Sequence, residues 1–188
     1  MANQKQRFCR SKKVSYKKRN LIFTGDIEGK GTHRMLESVP EDHPCLEADV
    51  LMASHHGSET EDANHPLWVL RTKPQYIIVS AGDTEFLHPR FSTLFTFASV
   101  LKFFRRSAST PHSFSFFDRG RGARGVPVGI EQYFNSVSSP VLEPIVYRDS
   151  PYLRITVQSA LPLYSTRSSG TITINIENDG ELDLVPEK

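Results

Sequence analysis

Short apolar runs separated by amphipathic stretches organise the first hundred residues. Leu21-Ile22-Phe23, the stretch Asp49–Ser54 and the stretch Gln75–Ser80 each read as a brief buried strand. Val14–Tyr16 lies just ahead of the first, and Lys17–Asn20 between them predicts a hairpin into Leu21–Thr24, with Val14–Tyr16 as an edge strand. Between the strands, Gly29–Val39 sets Met35, Leu36 and Val39 on one helical face. Pro66–Lys73 predicts a short helix with Leu67, Val69 and Leu70 inward and Trp68 at its edge. Phe91–Arg106 carries Leu94, Phe97, Ala98, Leu101 and Phe104 as a wide apolar stripe, the pattern of a helix laid over a sheet face. The predicted class is α/β (α+β), a mixed sheet with flanking helices.

The pattern weakens after residue 106. Phe117–Gly129 is rich in glycine and arginine with little capacity for a core, and Ser136–Pro144 continues in Ser/Pro character, so a loop insertion is expected over about 107–150. Strands return at Leu153–Gln158, Leu163–Thr166 and Thr171–Ile176, where TITINI alternates as a half-buried strand does. Asn178-Asp179-Gly180 is a tight hairpin signal, and Glu181–Lys188 reads as a short strand and a tail.

Composition adds charge asymmetry to this outline. The 188 residues suit one domain with a sizeable core, and the net charge of +2 is small. Its distribution is uneven: the first 20 residues hold eight Lys/Arg and no acid, whereas the last 12 hold five Asp/Glu and one Lys. Residues 1–13 are therefore expected to form a basic arm, and 14–188 the domain. Such an arm, through Lys12 and Lys13, and the RGRGARG stretch, through Arg119 and Arg121, suit phosphate contact with nucleic acid as well as plain solvated loop. Two cysteines, Cys9 and Cys45, make neither a disulfide framework nor a CxxC zinc cluster, which suits a reduced, cytoplasmic setting. No apolar run approaches a membrane span, and the basic start lacks a signal-peptide core.

Candidate chemistry sits where the three strands end. The first delivers Asp26, the second His55 and His56, the third Gly82, Asp83 and His88. Oxygen and nitrogen donors from adjacent strand ends are what a metal site at a sheet edge needs, and Gly57 removes bulk that would block close approach. Gly25-Asp26 is equally a common turn pair, and adjacent histidines also occur in plain turns. His88 precedes proline, which holds its backbone extended; it reads as a metal ligand, a substrate contact or a structural residue. His33, His43 and His65 are assigned to helix surface, loop and helix start. Glu59 and Glu61 would repel a phosphodiester.

LIFTGDIEGKG, ADVLMASHHGS and PQYIIVSAGDTEFLHP, in that order, resemble the C-terminal half of a metallo-β-lactamase-fold domain, closest to the soluble domain of ComEC-type DNA-uptake proteins. The resemblance covers about Val14–Arg90 and resumes near Leu161–Glu181. It implies half of an αββα sandwich from a lineage of metal-dependent hydrolases acting on phosphodiesters or nucleic acid. It further implies a divalent metal, Zn²⁺ or Mn²⁺, with Asp26 bridging and catalytic, and His55 as ligand. His56 would support His55 or ligate in its place, and His88 would ligate or hold substrate. Two features depart from the family. Its HxHxDH-type cluster is missing from the 25 residues before Asp26, and Glu85 and Phe86-Leu87 stand where an asparagine and an aromatic-Gly pair are usual. The resemblance thus also accommodates a chain that needs a partner supplying the other half, or a non-catalytic nucleic-acid-binding remnant.

Overall fold

The structure is a computed structural model that describes residues 11–41, 43–82, 87–119 and 130–187. The three apolar runs become neighbouring strands, β2 (Arg19–Phe23), β3 (Val50–Met52) and β4 (Tyr76–Val79). These are parallel, and β8 (Leu163–Ser165) adds a fourth parallel strand beside β4. β1 (Lys12–Tyr16) folds back antiparallel on β2, so the sheet is mixed, in the order β1-β2-β3-β4-β8. Parallel neighbours require a crossover, and α1 (Gly29–Ser38) and α2 (Pro66–Thr72) supply two. Asp49 aligns the starts of the strands: Arg19 Nη1 and Gln75 Nε2 donate to its Oδ1 at 2.9 and 2.7 Å, and the Asn20 amide to its Oδ2 at 2.8 Å.

Both faces of this sheet are covered, which is why its strands read as apolar runs without alternation. Ile22, Leu51, Ile77, Val79 and Leu163 pack beneath the helices, against Trp68 and Val69 of α2 and Leu94, Phe97 and Leu101 of α3 (Phe91–Phe103). Leu21, Val50, Ile78 and Tyr164 meet Leu182 and Leu184 of a terminal hairpin, β9 (Ile172–Ile176) and β10 (Leu182–Pro186). The fold is thus α/β with a mixed sheet and flanking helices. Helix α2 corrects one expectation: Trp68 is 1% exposed and Leu67 44%. Positions 67 and 69 lie about 200° apart around a helix, so both cannot face inward, and the core takes the indole.

The expected loop over 107–150 is overturned by a second, three-stranded antiparallel sheet in the order β5-β7-β6. Its strands are β5 (His112–Arg119), β6 (Val141–Tyr147) and β7 (Ser150–Ser159), with α4 (Ile130–Phe134) between the first two. The Ser-Phe alternation of β5 drives this, since Phe114 and Phe116 are fully buried and pack on Phe134. Pro144 is tolerated because β6 is an edge strand. Most of the RG-rich stretch, residues 120–129, lies outside the described residues. The basic arm is likewise shorter than expected within the described residues, because β1 starts at Lys12. Among the described residues no helix is long and apolar enough to cross a membrane.

Candidate functional site: three strand ends

Because β2, β3 and β4 run parallel, their C-terminal ends share one edge of the sheet. The segments leaving that edge carry Asp26, the His55-His56 pair and His88. Thr24 Oγ1 donates to the Met52 carbonyl at 2.8 Å, and the His55 amide donates to the Gly25 carbonyl at 2.8 Å, so the first two segments are stitched together. The third joins them through the Arg90 amide, which donates to the Gly57 carbonyl at 3.3 Å.

The histidine turn has an uncommon backbone. His55, His56 and Gly57 all have positive φ, at 47°, 55° and 76°. A left-handed conformation costs a non-glycine residue about 1–2 kcal/mol, so this turn persists only because its surroundings impose it. Asn64 does much of the imposing. Its Oδ1 accepts from the Ser54 amide at 2.9 Å, and its Nδ2 donates to the carbonyls of Ser54 and Ser58 at 2.9 and 3.1 Å, all in a buried setting. Asn64→Ala is expected to destabilise the chain by about 2 kcal/mol in urea unfolding, with perturbed imidazole NMR signals from the histidine turn. Sequence reasoning missed Asn64 because a loop asparagine carries no periodic signal.

The turn directs the two imidazoles differently. His56 Nδ1 lies 2.6 Å from the Ser80 carbonyl, which only accepts, so Nδ1 carries the proton and donates. His56 Nε2 then faces Asp26 Oδ1, 3.5 Å away, with both side chains at least half exposed. With Nε2 protonated the contact is an ion pair; with Nε2 bare, its lone pair and the carboxylate can share a metal ion. His55, expected to be the leading ligand, has its Nδ1 buried with no hydrogen-bond partner among the described residues. Its ring centroid is 6.3 Å from that of His56 and 6.2 Å from that of His88. His88 is partly buried, and burial, with the Arg90 charge second and His55 and His56 next, lowers its pKa to about 4, against a small upward pull from Glu59. Its imidazole is therefore neutral at pH 7.

The metal implied by the resemblance can be tested against these donors. Two ligands on a tetrahedral cation with bonds of about 2.0–2.1 Å lie about 3.3–3.5 Å apart, which suits Asp26 Oδ1 and His56 Nε2. The Ser80 carbonyl holds the other ring nitrogen, as orienting acceptors do for ligating histidines. Among the described residues, however, no group of three or more His, Cys, Asp or Glu could hold a metal ion. The described donors fit part of a cation site and not a complete hydrolytic centre, and no chemical step through a metal follows from them.

The remaining candidates lie elsewhere. Lys12 and Lys13 are on β1, where Lys13 Nζ donates to the carbonyls of Cys45 and Glu47 at 2.9 and 2.8 Å, a structural strap between the edge strand and the loop before β3. Arg119 ends β5, and Arg121 lies outside the described residues. His65 accepts from the Leu67 amide at 3.2 Å and caps α2, as a helix start should. A polar cleft of about 310 Å³ opens beside Asn64, lined by Ser58, Glu59, Asp62, Ser92 and Thr96 among others; its lining includes none of the strand-end histidines. Compared with known proteins, the chain matches no family model, no curated protein and no solved structure.

Proposed function

We propose that the chain is the C-terminal, ligand-bearing half of a metallo-β-lactamase-type sandwich, from a lineage of metal-dependent phosphodiester hydrolases. The observation that carries this reading is the Asp26–His56 pair, whose Oδ1 and Nε2 lie 3.5 Å apart beyond adjacent parallel strand ends, with His56 Nδ1 tied to Ser80. Asp26 and His56 hold one divalent cation, Zn²⁺ or Mn²⁺, and His55 backs the turn. A cation there polarises a phosphoryl oxygen when bound. His88, neutral at pH 7, offers a hydrogen bond to a substrate oxygen. A complete hydrolytic centre takes more ligands than this pair, and the setting is cytoplasmic.

The incomplete donor set favours a second reading, a non-catalytic module that binds nucleic acid through the same lineage's scaffold. Hydrolysis of bis(p-nitrophenyl) phosphate with added Zn²⁺ or Mn²⁺ separates the two. The hydrolase reading expects metal-dependent turnover that His88→Gln lowers by about 100-fold and Asp26→Ala removes. Cation binding without turnover assigns the chain to the second reading. Turnover equal in the chain and the Asp26→Ala variant overturns the site assignment.

A further inference from the structure

Sharing His65 with the polar cleft at Asn64 is a larger one, of about 430 Å³, that the strand-end site does not explain. It opens between α1 and the start of α2, and none of Asp26, His55, His56 and His88 lines it. The two helices are fixed to each other at this point. Arg71 Nη1 donates to the Leu36 carbonyl at 3.0 Å, and Nη2 donates to the carbonyls of Val39, at 2.9 Å, and Pro40. The rings of His33 and His65 meet from the two sides, with centroids 5.1 Å apart and planes tilted by 55°. The cleft therefore has its shape before any ligand arrives, which reduces the entropy lost on binding.

Its lining divides by chemistry. Leu36 and Val39 are partly buried and pack on the main core, while Leu67 stays 44% exposed beside the buried Trp68. With the two imidazoles they make an apolar surface edged by aromatic rings. The charged groups are Arg71, Glu37 and Glu41. The Arg71 guanidinium is occupied by three carbonyl oxygens. Glu37 and Glu41 are exposed, and among the described residues their carboxylates make no ion pair or hydrogen bond. Two carboxylates against one guanidinium leave the cleft acidic, so it favours a cation over an anion.

We infer that this cleft binds a small primary amine with an aromatic body, its ammonium on Glu37 and Glu41 and its ring against Leu36, Val39 and Leu67. An ammonium carries three N–H donors, and carboxylates accept them in the stronger, charge-assisted class of hydrogen bond. Apolar side chains left open to water favour a hydrocarbon body, and the tilted imidazoles offer edge-to-face contacts to an aromatic one. The volume suits a single small ligand, since such pockets run from about 300 to 1,000 Å³. It is too small to seat a protein partner, whose interface takes about 20–30 residues a side. This site holds whether or not the strand ends bind a cation.

The test is titration of the full chain with tryptamine, followed by the imidazole NMR signals and by calorimetry. Binding is expected to shift the signals of His33 and His65 and to leave those of His55 and His56 in place. Indole-3-acetate carries the same ring with the opposite charge, and ethylamine the same cation without the ring; each is expected to bind about 10-fold more weakly or worse. Glu37→Gln/Glu41→Gln is expected to weaken tryptamine by about 10-fold or more. Leu67→Ser is expected to weaken it by about 5-fold and to keep the preference for amine over acid. Glu177→Gln/Glu181→Gln, the same charge loss at exposed positions of the terminal hairpin, leaves the affinity unchanged. Thermal melts verify that each variant folds. No binding of tryptamine at millimolar concentration overturns the proposal. So do indole-3-acetate or ethylamine held as tightly as tryptamine, equal losses from the two glutamate pairs, or shifts centred on His55 and His56.

Discussion

Gly57→Ala is expected to cost about 3–4 kcal/mol in urea unfolding and to displace the histidine turn from the His88 segment. Two independent effects add. At φ 76° the backbone is in the left-handed region, where a β-carbon costs about 1–2 kcal/mol. That carbon would also stand 2.9 Å from Pro89 Cβ and 3.1 Å from Val79 Cγ1, both in a packed interior. Overpacking of this kind costs a further 1–3 kcal/mol or so, because neither neighbour is the end of a flexible chain. The consequence reaches function through geometry. Gly57 is where the turn after β3 touches the loop after β4, and the Arg90 amide bonds to its carbonyl. A variant within about 0.5 kcal/mol of the parent chain would show that this close approach is not maintained in solution.

Phe116→Ala carries the other large effect, about 4 kcal/mol, again read from urea midpoints. Phe116 is fully buried, stacks on Phe91 of α3 at 5.7 Å and meets Phe134 of α4 at 5.3 Å. Phe-to-Ala changes at such sites remove both the transfer term and the contacts around the cavity. The result bears on more than one side chain, because it separates an integral second sheet from an insertion that merely loops over the surface. A cost under about 1 kcal/mol would return β5 to the status of a loop. A cost near 4 kcal/mol, with one cooperative transition, makes the inserted sheet part of the domain core.

How much of this was readable beforehand follows from the physics of each segment. The strands at Leu21–Phe23, Val50–Met52 and Tyr76–Val79 were legible because parallel strands covered on both faces need near-continuous apolar runs. The terminal hairpin was legible from Asn178-Asp179-Gly180, whose glycine indeed adopts φ 90°. The inserted sheet was not, because the Ser-Phe alternation of β5 runs directly into a glycine/arginine stretch, and Pro144 argues against a strand unless the strand is an edge. The orientation of the adjacent histidines was also out of reach. Two consecutive left-handed non-glycine residues are rare, and nothing in HHG announces them. That twist turns His56 toward Asp26 and leaves His55 Nδ1 buried.

The central claim is that Asp26 and His56 form a cation-holding half-site. The most direct test is the metal content of the purified chain by elemental mass spectrometry, alongside Asp26→Ala and His56→Ala. The account predicts bound Zn²⁺ or Mn²⁺ at about one per chain, lost in both variants, while each variant keeps the parent's unfolding midpoint to within about 1 kcal/mol, as exposed polar positions do. Metal-free protein, or metal retained after both substitutions, would contradict it.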